Sequence, residues 1–123
     1  MRVVLAALAA WSSVPIAGVW STAIAGAPSA QFNGVWKLHV SASGTYVITK
    51  GAQRLVVGKA TFKGGTVTFH DLSGPASCIG RQAVGSYRWA LSGTTVRFVP
   101  VKEPCAGRKL VLARVFRSPR PSS

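Results

Sequence analysis

The chain has 123 residues, 48 % of them hydrophobic, with 15 lysines and arginines against two acids and a formal charge of +13. That length fits one small domain, and its apolar content excludes a disordered basic tail. With only Asp71 and Glu103 as acids, the composition also excludes most paired-carboxylate hydrolases and the oxygen cages that hold calcium or magnesium.

In chain order, Arg2 is followed by a stretch without charge, residues 3–25. The apolar run Val3 to Ala10 and the small-residue exit Ala23-Ile24-Ala25 have the form of a secretory signal peptide, with cleavage expected after Ala25. Pro28 disfavours a cut after Ala27, Ala30 is a fallback, and an uncleaved membrane anchor is the alternative. The expected organisation is a cleaved signal peptide over 1–25, a flexible mature N-terminus over 26–32, a folded domain over 33–117 and a disordered tail over 118–123. Secretion or residence in the cell envelope follows from that reading.

After this exit the chain alternates apolar and polar residues in short segments broken by Gly, Ser and Pro, the pattern of strands. The first expected strand is Gly34 to Val40, with Trp36, Leu38 and Val40 on one face. Thr45 to Thr49, Gln53 to Phe62 and Thr66 to His70 follow, the last two joined by the hairpin signal Gly64-Gly65. Residues 71–84 read as a loop. Ser86 to Leu91 and Thr95 to Val99 are joined at Ser92-Gly93, a second loop covers 100–108, and a last strand is expected over Lys109 to Phe116. Seven strands in sequential antiparallel order make a meander, closed as a barrel or folded as a sandwich. A seven-strand ring would leave its first and last strands parallel, so either an eighth strand hides in 53–62 or 71–84 or closure is imperfect.

Cys78 and Cys105 are the two cysteines, and the traced strand directions bring their loops to the same end. A disulfide is expected in an oxidising compartment, with free thiols as the alternative. Two cysteines and the distant His39 and His70 match no metal-ligand spacing, so no metal and no cofactor is expected.

Gly34-x-Trp36 resembles the opening signature of the lipocalin and calycin group. Gly85-x-Tyr87-x-Trp89-x-Leu91-x-Gly93, Pro100-Val101 and Cys105-Ala106-Gly107-Arg108, with Asp71-x-x-Gly74 before Cys78, resemble small exported bacterial lipocalin-like proteins over residues 33–117. The resemblance implies an all-β, small antiparallel up-and-down barrel of seven to eight strands and binding of a small apolar ligand. It also implies a basic residue of the final strand packed on the opening Trp36, for which Arg114 is the counterpart.

On these grounds Trp36, Tyr46, Phe69, Tyr87, Trp89 and Phe98 are the candidate ligand-lining residues, unless the aromatic rings simply fill the interior. Gly58 and Ala60 fall on the inward face, where they could leave a gap. Lys37, Lys59, Lys63, Arg88 and Arg97 fall outside, a surface suited to an anionic envelope polymer or a membrane surface. Because the aromatics alternate inward, no stacking platform for specific nucleic-acid binding is expected. Asp71 and Glu103 are expected near Arg81 and Arg108, as ion pairs rather than as an acid–base couple, so no enzymatic activity is assigned. The expected protein is monomeric.

Overall fold

The structure is a computed structural model that describes residues 14–118. Eight strands run in order: β1 (Gly18–Ile24), β2 (Gly34–Val40), β3 (Thr45–Lys50), β4 (Gln53–Lys63), β5 (Thr66–Ser73), β6 (Val84–Ser92), β7 (Thr95–Lys102) and β8 (Val115–Arg117), with a helix, α1 (Ala106–Leu112), between β7 and β8. Every neighbouring pair is antiparallel, and β8 meets β1 at Arg117 and Ser21, closing an up-and-down barrel. Closure gives every strand a neighbour on both sides, but the seam is narrow, because β8 pairs with β7 over three residues and with β1 at one. No helix of the described residues is long and apolar enough to cross a membrane.

The alternation that identifies the strands also builds the core. Trp36, Leu38 and Val40 of β2, Tyr46 and Ile48 of β3, and Val67 and Phe69 of β5 are all buried, as successive inward positions of a strand must be. Leu91 departs from this pattern: at the end of β6 it lies exposed rather than inward.

The eighth strand is not hidden in 53–62 or 71–84. It is β1, within the segment expected to be a cleaved signal peptide. Gly18–Ile24 pairs along its whole length with β2, from Gly18 opposite Val40 to Ile24 opposite Gly34. Ile16, Trp20 and Ile24 are buried in the core. An uncharged run satisfies a secretion signal and a half-buried strand equally well, and in the full chain Gly18–Ile24 is a paired strand. Residues 1–13 and 119–123, which hold the start of the expected signal and most of the expected tail, lie outside the described residues.

A repeat marks β1 as structural. Gly18-Val19-Trp20 and Gly34-Val35-Trp36 open adjacent strands with the same three residues. Each glycine has a positive φ, +136° and +126°, and each indole N–H donates to the carbonyl four residues earlier: Trp20 to Ile16 at 2.9 Å and Trp36 to Phe32 at 2.8 Å. The preceding segment 26–32 is not free either. A 3₁₀ turn spans Ala30–Phe32, the Ala27 N–H donates to Asn33 Oδ1 at 2.9 Å, and Phe32 stacks on Trp36.

The expected last strand is also corrected. Lys109 to Leu112 is helical, and β8 is confined to Val115–Arg117. The alternation Leu110, Leu112, Arg114, Phe116 suggests a strand. Arg108, Val111 and Leu112, the residues α1 buries, instead follow the i, i+3, i+4 spacing of one helical face.

Candidate functional site

Strand directions place the long connections 25–33, 74–83 and 103–114 at one end of the barrel and the short hairpins 41–44, 64–65 and 93–94 at the other. The long-loop end holds the disulfide between Cys78 and Cys105, with Cα atoms 6.3 Å apart. Below it lies a buried polar cluster that contains both carboxylates of the chain.

Arg108, projecting from α1, is its hub. Its Nε donates to Glu103 Oε2 at 2.7 Å and its Nη2 to Glu103 Oε1 at 2.8 Å, a two-pronged pairing that a guanidinium is shaped to make. Nη1 and Nη2 also donate to the carbonyls of Ala83 and Gln82, at 2.7 and 2.8 Å, and Nη1 lies 3.3 Å from Asp71 Oδ1. Around this hub the two acids do matching work. Asp71 accepts from the Tyr46 hydroxyl and, at 2.8 Å, from the Cys78 N–H. Glu103 accepts from the Tyr87 hydroxyl at 2.6 Å and from the Cys105 N–H at 2.9 Å. Each carboxylate therefore ties one tyrosine, one disulfide cysteine and Arg108 together.

Beside this cluster the packing leaves room for nothing larger at two glycines. A side chain at Gly58 would collide with the Tyr46 hydroxyl, and one at Gly85 with the Glu103 carboxylate. Gly58, expected to open a gap, is where the Tyr46 hydroxyl sits.

The electrostatics follow from this arrangement. Burial, then the hydrogen bond to Asp71, raises the Tyr46 pKa. Burial and Glu103 do the same to Tyr87. Burial alone would raise the Glu103 carboxyl, but hydrogen bonds from Arg108, Tyr87 and the Cys105 N–H outweigh it and hold the group below its ordinary value. Burial alone would lower the Arg108 pKa, and Glu103 and Asp71 more than reverse that, so the guanidinium stays charged. The two acids pair with Arg108, as expected; Arg81 stays exposed.

The disulfide makes its own prediction. A bridge spanning a sequence separation of 27 contributes about 3.6 kcal/mol in the chain-entropy picture. Cys78→Ser and Cys105→Ser should each lower Tm by about 15 °C. The double variant should melt no lower than either single one, as thermal unfolding followed by circular dichroism will read.

Of the six candidate ligand-lining residues, four pack on one another. Phe69 meets Tyr46, Tyr87 and Phe98 edge-to-face with ring centroids 5.2, 5.7 and 5.6 Å apart, and none of the four is more than 2 % exposed. These contacts fill the barrel's middle. Trp36 lines a cavity of about 90 Å³ at the disulfide end, together with Phe32, Val111, Asp71 and Arg108. That volume is well below the roughly 300–1,000 Å³ usual for ligand pockets. Trp89 lies toward the hairpin end, edge-to-face with Phe62. The six residues thus share no common cavity.

Arg114 does not pack on Trp36. It follows α1, and its Nε donates to the Leu110 carbonyl at 2.8 Å. The cation over the Trp36 ring is the Lys50 ammonium, 6.0 Å from the centroid. The basic residue that the barrel buries is Arg108, whose role no strand-by-strand reading reaches. The place to look was the arithmetic of two acids in so basic a chain, because a buried carboxylate requires a buried partner.

Lys37, Lys59, Lys63, Arg88 and Arg97 are all exposed on the outer wall, and Arg88 and Arg97 flank one shallow groove with Val99. Burial first, then the charges of Lys37 and Arg54, lowers the His39 pKa, a local sign of the positive field outside. Among the described residues no three His, Cys, Asp or Glu side chains come together as a metal site.

Compared with known proteins, the chain matches no family model, no curated protein and no solved structure.

Proposed function

We propose that this protein is an exported, lipocalin-like barrel that works from its outside, binding anionic polymers or surfaces of the cell envelope. One observation carries the reading: both carboxylates of the chain are buried on Arg108. The outer wall therefore bears lysines and arginines with no side-chain carboxylate among them. Such a surface attracts any dense line of negative charge by releasing its counterions, and it opposes self-association. The disulfide supports an oxidising compartment. The packed rings in the barrel's middle weigh against a carrier of an apolar guest.

The test is retention of the full chain on immobilised dextran sulfate across a salt series. Affinity should fall by about a hundredfold or more between 50 and 200 mM salt, and Arg88→Glu with Arg97→Glu should weaken it further. Binding that ignores salt overturns the reading. Native mass spectrometry of the protein from its own host, showing a bound mass that leaves on organic extraction, would restore the carrier in its place.

A further inference from the structure

The long-loop end carries a patch of exposed apolar side chains. Ile79 is 77 % exposed, Val101 59 %, Leu72 58 % and Val84 45 %, half of the large apolar side chains that the described surface exposes. Strand pairing gathers them. Val84 opens β6 opposite His70 of β5, and Leu72 lies two residues farther along the same outer face. Lys102 of β7 pairs with Ser86, which puts Val101 beside the same corner. Ile79 directly precedes the turn Gly80–Gln82 that leads into β6, and the adjacent Cys78 anchors it through the disulfide.

The cations are interleaved with these residues. Arg81 and Lys102 line one groove together with Val84. The exposed apolar residues are all aliphatic, so they offer no ring on which a base or sugar could stack. A hydrophilic polyanion gains nothing from four aliphatic tips. A bilayer surface gains from both parts, since the tips enter the boundary between headgroups and acyl chains while the cations meet headgroup phosphates.

We infer that the rim formed by Leu72, Ile79, Val84 and Val101, with Arg81 and Lys102, docks this protein on the surface of an anionic lipid bilayer. The inference rests on the polyanion-binding reading and names the partner for one end of the barrel. The outer wall supplies long-range attraction, and the rim supplies the short-range apolar contact that a soluble polymer cannot use.

The experiment compares the full chain with a Leu72→Ser, Ile79→Ser variant on two probes at one salt concentration. The probes are vesicles of phosphatidylcholine containing about a third phosphatidylglycerol, and soluble dextran sulfate. The variant should bind the vesicles about tenfold more weakly and dextran sulfate as well as the parent does, with an unchanged Tm. Val101→Ser should shift vesicle binding in the same direction, which keeps the test decisive if the loop variant folds poorly. Equal loss on both probes, or no loss on either, overturns the docking rim and leaves the polyanion reading standing. Failure of the parent chain to bind either probe overturns both. A dimer in vesicle-free sedimentation that the same substitutions dissolve would assign the rim to a second copy and overturn its assignment to lipid.

Discussion

Replacing Arg108 by Met should cost about 3–5 kcal/mol at neutral pH, the usual penalty for removing one partner of a buried ion pair. That is a large share of the stability of a domain this size. The methionine fills much of the space but leaves Asp71 and Glu103 buried with no counter-charge, and it frees the carbonyls of Gln82 and Ala83. The sign of the pH dependence follows from Glu103. Its carboxyl is held below the ordinary value in the folded chain. Its contribution is therefore complete above that ordinary value, about 4.3, and disappears as pH falls through the depressed one. In the variant the buried Glu103 carboxylate, having lost the Arg108 hydrogen bonds that offset its burial, favours protonation, so acid narrows the gap between the two proteins. Urea titrations at pH 7 and pH 4 should show the difference shrinking. The triple variant Asp71→Asn, Glu103→Gln, Arg108→Met should recover much of the loss, because it buries no charge at all. A single variant as stable as the parent would mean that the cluster is open to water.

A chain that starts at Gly26 should lose more. It lacks β1, and with it the buried side chains of Ile16, Trp20 and Ile24. At roughly 1.5–3 kcal/mol for each, the loss is about 4.5–9 kcal/mol, comparable with the whole stability of a small domain. It also uncovers the edges of β2 and β8, which invite pairing with other chains. Size-exclusion chromatography and thermal unfolding beside the full chain should show an aggregating or unfolded product. A monomer with an unchanged Tm would show that the barrel closes without β1, and would support a processing site after Ala25.

These two experiments fall where the sequence was hardest to read. β2 is legible to the residue and β3, β4 and β6 to within one or two, because half-buried strands write a period of two and their turns carry Gly, Pro or Ser; β5 and β7 run three residues further than expected, to Ser73 and Lys102, into segments read as loops. The pairing of Cys78 with Cys105 follows once the strand directions are traced. β1 was not legible by period, since an uncharged alanine-rich run satisfies two templates, although the second Gly-Val-Trp was a signal in plain sight. The short helix α1 was hidden because Leu110, Leu112, Arg114 and Phe116 also fit a strand. The six ring positions were placed largely inside from alternation, but alternation says where a ring points and nothing about how much space remains between rings. For Tyr46 and Tyr87 the hydroxyls decide the matter, and they reach carboxylates far away in sequence.

With both acids enclosed, the outer wall lacks the side-chain carboxylates that normally titrate in weak acid. Lysine and arginine side chains ordinarily keep their protons up to about pH 10, so from there down to acidic media the lysines and arginines of the outer wall hold their charge. Most proteins pass from cationic to anionic as their surroundings turn alkaline, and their partners change with them. On the proposed reading, the burial of two side chains makes attraction to a polyanion nearly independent of acidity on the protein's side. Below about pH 10, the pH at which the proposed complex would come apart is set by the partner's own acids.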